Sequence, residues 1–261
     1  MRAIGRPRHG PRQRPRRGHA RSRGTQESRT GVGRVMEQAV MDRDASASQP
    51  GARHRVRLRF RKEGDLRLIG HRDLITALER MFRRVDATPS MSGGFHPRPR
   101  MSFPLSLALG IVGLDELFEV EFDDPPDVDR LLADLNAAAP PGLVFTAASL
   151  LPPGSRKAVV VAASYELEIP PDAAAGLAER IAALLAEKSH VVTRAHRERR
   201  VDVRAAIESL AYADGVLRMR LATDSAAAAA KPQEVLAALG IDHLLQSGRH
   251  LTRTALHLAT D

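Results

Sequence analysis

The chain has 261 residues, enough for one large or two small domains. It contains no Cys and no Trp, with seven Phe and two Tyr, so aliphatic side chains must fill most of a core. Disulfide scaffolds, thiolate metal sites and iron–sulfur clusters are thereby excluded. No apolar run approaches the roughly 18 residues of a membrane helix, and the Arg-rich start lacks a secretory hydrophobic region. The expectation is a soluble, cytoplasmic protein with no membrane partner.

The formal charge of +9 is carried by one segment. Residues 1–53 hold 13 Arg against Glu27, Glu37, Asp42 and Asp44, which leaves 27 basic and 27 acidic side chains for residues 54–261. The segment is rich in Arg, Gly, Pro and Ser and cannot bury enough apolar surface to offset the entropy of ordering, so a disordered arm is expected over 1–53. Such an arm either binds RNA through counterion release or precedes the true start of translation, for which Met36 and Met41 are alternatives to Met1. Only four of the 40 basic residues are Lys, so the abundance of Arg is weak evidence for phosphate binding.

From residue 54 the chain alternates: Val56, Leu58 and Phe60 on one face, Arg55, Arg57, Arg59 and Arg61 on the other, which predicts a strand. Gly64-Asp65 predicts a turn, and Leu66–Ile69 an extension of the sheet. Leu74, Ile75, Leu78, Met81, Phe82 and Val85 follow helical spacing over 72–85, with Arg72, Glu79, Arg80, Arg83 and Arg84 outward. The stretch from Thr88 to Pro104, with four Pro and two Gly, predicts a long irregular loop of the kind that carries function. A strand over 117–122, a helix over 127–138 and a strand over 143–150 complete a first half.

Pro152-Pro153-Gly154 marks a boundary, after which the pattern restarts. Strands are expected over 158–169, 191–194, 201–207, 216–222 and 251–258, and helices over 172–187 and from Pro232 to Leu239. Each half reads β-α-β-β-α-β, so the expected fold is α+β, with two ferredoxin-like halves side by side over 54–153 and 154–261.

The run Gly70-His71-Arg72-Asp73-Leu74, a helix ending Arg83-Arg84, and then Ser92-Gly93-Gly94-Phe95-His96-Pro97-Arg98-Pro99-Arg100-Met101-Ser102-Phe103 resembles the radical-SAM-linked proteins, a bacterial domain family of uncharacterised function. The resemblance spans roughly residues 54 to 250; Gly70, His96 and Arg98 stand where Ser, Asn and His are commoner. It implies a radical-SAM protein as partner. Without cysteines the chain cannot hold that cluster itself, so the resemblance implies an accessory role, with RNA as the inferred substrate of the pair.

The site residues divide by chemistry. Gly93, Gly94, Phe95, His96, Arg98 and Arg100, with Arg80 and Arg84 of the preceding helix, form the expected nucleic-acid surface. No acidic residue lies between Asp86 and Asp115, and glycine lets a backbone approach a ligand closely. His71 and His96 are the alternative: two imidazoles suffice for acid–base cleavage of RNA, with Asp73 as the third weak catalytic candidate. Asp73 also suits the first turn of a helix, where a carboxylate caps free amides. His71, Asp73 and His96 lack diagnostic metal-ligand spacing, and no metal or cofactor is expected. The Arg55, Arg57, Arg59, Arg61 stripe either tracks a nucleic-acid backbone or pairs with Glu119 and Glu121 on a neighbouring strand. A second basic stretch comprises Arg194, Arg197, Arg199, Arg200 and Arg204. A protein-interaction scaffold without nucleic acid is the remaining alternative.

Overall fold

A computed structural model describes residues 53–194, 199–223 and 230–259. Apart from Arg53, the expected arm lies outside the described residues, as does Arg197.

Strand β1 (His54–Lys62) buries Val56, Leu58 and Phe60 as the alternation requires. Helix α1 (His71–Arg84) turns Leu74, Leu78, Met81 and Phe82 onto the same core. Strands β2 (Met101–Ser102) and β3 (Val112–Phe122) follow. Helix α2 (Val128–Ala138) is capped by the Asp127 carboxylate, which accepts from the backbone N–H groups of Asp129 and Arg130 at 3.1 Å. Strand β4 (Leu143–Leu150) ends this half.

The second half contains β5 (Val160–Glu168), α3 (Pro171–Ala174), α4 (Leu177–Ala186), a separate hairpin of β6 (Val191–Arg194) and β7 (Arg199–Asp202), and α5 (Val203–Ala206). It continues with β8 (Ile207–Ala213), β9 (Val216–Ala222), α6 (Pro232–Ala238), α7 (His243–Gln246) and β10 (Thr252–Leu258). The protein is thus a mixed α+β fold built on one large, mainly antiparallel sheet of order β4-β1-β3-β10-β5-β9-β8, with β2 paired to β3. Within it the first half runs β4-β1-β3-β2 and the second β10-β5-β9-β8. The seam is the parallel pairing of β3 with β10, limited to Thr252 opposite Val112 and Arg253 opposite Gly113. Each half has its own apolar core, and β3 feeds both: Phe118, Val120 and Phe122 enter one, Leu117 the other.

Four expectations are corrected. Leu66–Ile69 does not extend the sheet; Gly64, at φ +56°, turns the chain into a 3-10 helix over Gly64–Leu68. The helix expected over 172–187 is broken by Gly176, whose left-handed φ of +66° separates α3 from α4. The strand expected over 201–207 is interrupted by α5, whose first turn is held by Asp202 accepting from the Ala205 N–H. The Thr88–Pro104 stretch is not irregular throughout: its prolines occupy positions whose N–H the pairing does not need, and its other residues form a narrow hairpin on β3.

Candidate functional site

The hairpin is built from backbone pairing. Pro89 bridges Phe122, the Ser90 N–H donates to the Glu121 carbonyl at 2.7 Å, and the Arg100 N–H donates to the Ser90 carbonyl at 2.8 Å. Met91 bridges Pro99, and the Ser92 N–H donates to the Arg98 carbonyl at 2.8 Å. The Ser92 hydroxyl accepts from the Arg98 N–H at 3.0 Å, closing the hairpin just below its tip. Gly93, Gly94, Phe95, His96 and Pro97 form that tip, all exposed, with Gly94 at φ +104°. Phe95 is the most exposed of the large apolar side chains among the described residues, at 101% of its reference area.

The basic side chains around the hairpin differ in freedom. Arg98 is exposed beside the tip. Arg100 Nε donates to the Met91 carbonyl at 3.1 Å, and its side chain lines a pocket of about 170 Å³ with Arg55, Ser102, Glu119, Glu121 and Lys157. On α1, Arg80 is exposed and Arg84 Nη1 donates to the Ala138 carbonyl at the end of α2, 3.3 Å away.

His71 and His96 are not brought together. His71 opens α1 with its ring edge-on to Phe103 at 4.9 Å, and Phe103 stacks on Phe118 at 5.2 Å. His96 lies on the exposed tip, seven residues from Phe103 along a strand-like segment, or about 20 Å at strand rise. Burial, reinforced by the Lys62 ammonium, holds the His71 pKa below its ordinary 6.5. Asp73 accepts from the Gly70 N–H at 3.3 Å, the helix-start role expected of it. Among the described residues no cluster of three His, Asp or Glu is placed to hold a metal.

The Arg stripe is paired. Arg55 stands opposite Glu121 and Arg57 opposite Glu119 in the β1–β3 register. Arg57 donates to Glu119 Oε1 through Nε at 3.1 Å and Nη2 at 2.9 Å, and Arg59 reaches Asp115. This face is not open at its centre, because the chain after β4 crosses it. Arg55 Nη2 donates to the Ser155 and Arg156 carbonyls, and the Ala158 N–H donates to Glu119 at 3.3 Å, leaving Glu119 only 2% exposed. In the second basic stretch Arg194 pairs with Glu234 and Arg204 Nε donates to the Leu185 carbonyl at 3.0 Å.

A charged cluster at the seam lies outside every sequence-level expectation. Arg253 of β10 and Glu116 of β3, each 2% exposed, form a two-bond pair through Nε and Nη2. Arg253 also donates to the Leu105 and Ser106 carbonyls, at 3.2 and 3.4 Å. Lys62, buried at the end of β1, donates to the Ile69 carbonyl at 2.9 Å. Burial drives the Lys62 pKa below its ordinary 10.5, Glu116 opposes that and Arg253 adds to it. The available signal was the phase of Lys62, which continues the inward series of Val56, Leu58 and Phe60.

No helix among the described residues is long and apolar enough to cross a membrane. No curated protein matches the chain. A family model does, over residues 55–232, which takes in β1, α1, the hairpin, β3 and most of the second half. With more than half its length matched, the chain belongs to DUF2344, described as an uncharacterized protein conserved in bacteria.

Proposed function

We propose that the protein is an RNA-facing accessory module, not catalytic by itself, that works in the cytoplasm with a radical-SAM protein. The observation that carries the RNA part is the fully exposed Phe95 at the tip of a β-paired hairpin, beside the exposed Arg98. An aromatic ring offered to solvent next to a guanidinium suits an unpaired base and its phosphate: the ring stacks on any base, and the cation follows the backbone. The radical-SAM part rests on the sequence resemblance alone. In the same reading each half, with strand orders β4-β1-β3-β2 and β10-β5-β9-β8, is a ferredoxin-like unit. The two histidines support cleavage poorly, since the His71 ring packs against Phe103 at the start of α1 while His96 lies on the exposed tip of the hairpin.

The test is fluorescence anisotropy of a labelled single-stranded RNA with the full chain and with Phe95→Ala and Arg98→Ala. Weaker binding by both variants, with unchanged thermal stability, supports the proposal. Equal binding by all three proteins would overturn the hairpin as the RNA contact, and no binding at physiological salt would overturn the RNA reading and leave a protein-interaction scaffold.

A further inference from the structure

A cavity of about 440 Å³ opens at the seam, walled by Leu105, Ala108 and Ile111 of the first half and Pro232 of the second, with Tyr165 and Arg253 also in its lining. Tyr165 and Arg253 are 6% and 2% exposed, so two buried side chains make its polar floor. Arg253 is already satisfied. Its guanidinium holds Glu116 through Nε and Nη2 and donates to the Leu105 and Ser106 carbonyls at 3.2 and 3.4 Å. The Tyr165 hydroxyl lies beside that guanidinium. A guanidinium only donates, so the phenol oxygen accepts from Arg253 and the phenol proton must go elsewhere. Burial drives the Tyr165 pKa above its ordinary 10.0, so the hydroxyl keeps that proton across the physiological range. No group of the described residues accepts it.

We propose that this cavity binds an uncharged small molecule, its apolar body against Leu105, Ile111 and Pro232 and a carbonyl or ether oxygen accepting from the Tyr165 hydroxyl. The buried donor without an acceptor selects the head group, because a polar group taken from water is stable there only when hydrogen-bonded. The aliphatic walls select the body, and the volume lies within the range of small-molecule sites, about 300–1,000 Å³. Charge selects against an ion. The Glu116–Arg253 pair is closed on itself, so a charged head reaching the floor would be buried without a free counter-charge. Lys231, the other cation in the lining, is exposed and remains hydrated. The cavity is built on β5, β10 and the loop between β2 and β3, and the hairpin tip contributes nothing to it. The inference therefore does not depend on what the hairpin binds.

The test titrates the full chain with prodan, an uncharged naphthalene dye bearing one ketone, and with the same dye lacking its propionyl group. Prodan should bind saturably with a blue-shifted emission. Tyr165→Phe keeps the ring and removes only the hydroxyl, so it should lower prodan affinity about two- to tenfold, the value of one hydrogen bond, and leave the ketone-free dye unaffected. Ala108→Trp starts from an exposed residue of the cavity wall and should abolish binding of both dyes by filling the space, with the thermal midpoint of the parent. Absence of saturable prodan binding to the parent, or binding unchanged by Ala108→Trp, would overturn the site. Equal effects of Tyr165→Phe on the two dyes, or none on either, would overturn the role of the hydroxyl. Displacement of prodan by octanoate but not by octanol would show that the site takes an anion and would overturn the assignment of an uncharged ligand.

Discussion

Arg253 clasps Glu116 across the β3–β10 seam through two hydrogen bonds, although the two residues lie 137 positions apart and each is almost wholly buried. A buried ion pair contributes little over an apolar pair of the same shape, yet removing one partner strands the other charge. Glu116→Ala should therefore cost about 3–5 kcal/mol, since it leaves both Arg253 and Lys62 without their carboxylate. The double variant Glu116→Leu with Arg253→Met should lose markedly less. Urea denaturation of parent, single and double variants measures this, and equal losses for single and double would refute it.

Gly113 tests the same cluster from its backbone. A Cβ there would lie 2.6 Å from Glu116 Cγ and 2.8 Å from Oε1. Because Glu116 is pinned by Arg253 it cannot swing away, so Gly113→Ala should destabilise by about 1–3 kcal/mol. Gly93→Ala, with nothing within 4 Å, should be close to neutral.

The Arg stripe separates into residues of different weight. Arg57 supplies two of the hydrogen bonds to the buried Glu119, so Arg57→Ala should cost about 2–3 kcal/mol. Arg61 pairs with Glu63 at the surface, and Arg61→Ala should stay within about 0.5 kcal/mol of the parent. If the stripe were a nucleic-acid track instead, both changes would leave stability untouched and weaken RNA binding alike.

What the sequence disclosed follows from periodicity. Arg55 and Arg57 against Glu119 and Glu121 revealed a strand pair because alternation by two is local and each residue type fits one face. The β1–β3 register shifts between Phe60 and Lys62, and on β3 the consecutive Glu116 and Leu117 are both buried, so alternation by two fails there and hides residues 112–116 with the Glu116 cluster. Long-range partners such as Arg253 leave no local trace. The hairpin looks irregular in the sequence because its prolines mask a pairing made by their neighbours. Its residues still stand out, since Gly-Gly-Phe followed by two arginines with no nearby acid is a local signal.

His71 sets a pH dependence of stability. Its folded pKa lies below 6.5, first through burial and then through Lys62, so the unfolded chain binds the proton more readily. Its contribution is fully present above pH 6.5 and is lost as pH falls through the folded value. His71→Phe keeps an aromatic edge against Phe103 and removes the proton. Between pH 7.5 and the folded pKa the parent should lose denaturation midpoint faster than this variant; parallel curves would show that His71 does not titrate as described.

The arm and the hairpin are separable sources of RNA affinity. Deleting residues 1–53 removes the whole formal net charge of +9 but keeps every described residue from His54 onward. If affinity came from the arm, both affinity and its salt slope should collapse on truncation. We expect the hairpin to dominate, because charges beyond about 8–10 Å are screened at physiological salt while Phe95 and Arg98 act at contact. The truncated chain should then still bind single-stranded RNA. In it Phe95→Ala should remove the stacking of one base, about 1–3 kcal/mol, and Arg98→Ala should lower the salt slope by about 0.7, the value of one phosphate contact on a single strand. A salt titration of the full-length chain, the truncated chain and the truncated chain with each single substitution reads all three quantities. Undetectable binding by the truncated chain would assign the affinity to the arm, and the hairpin would then need a protein surface as its counterpart.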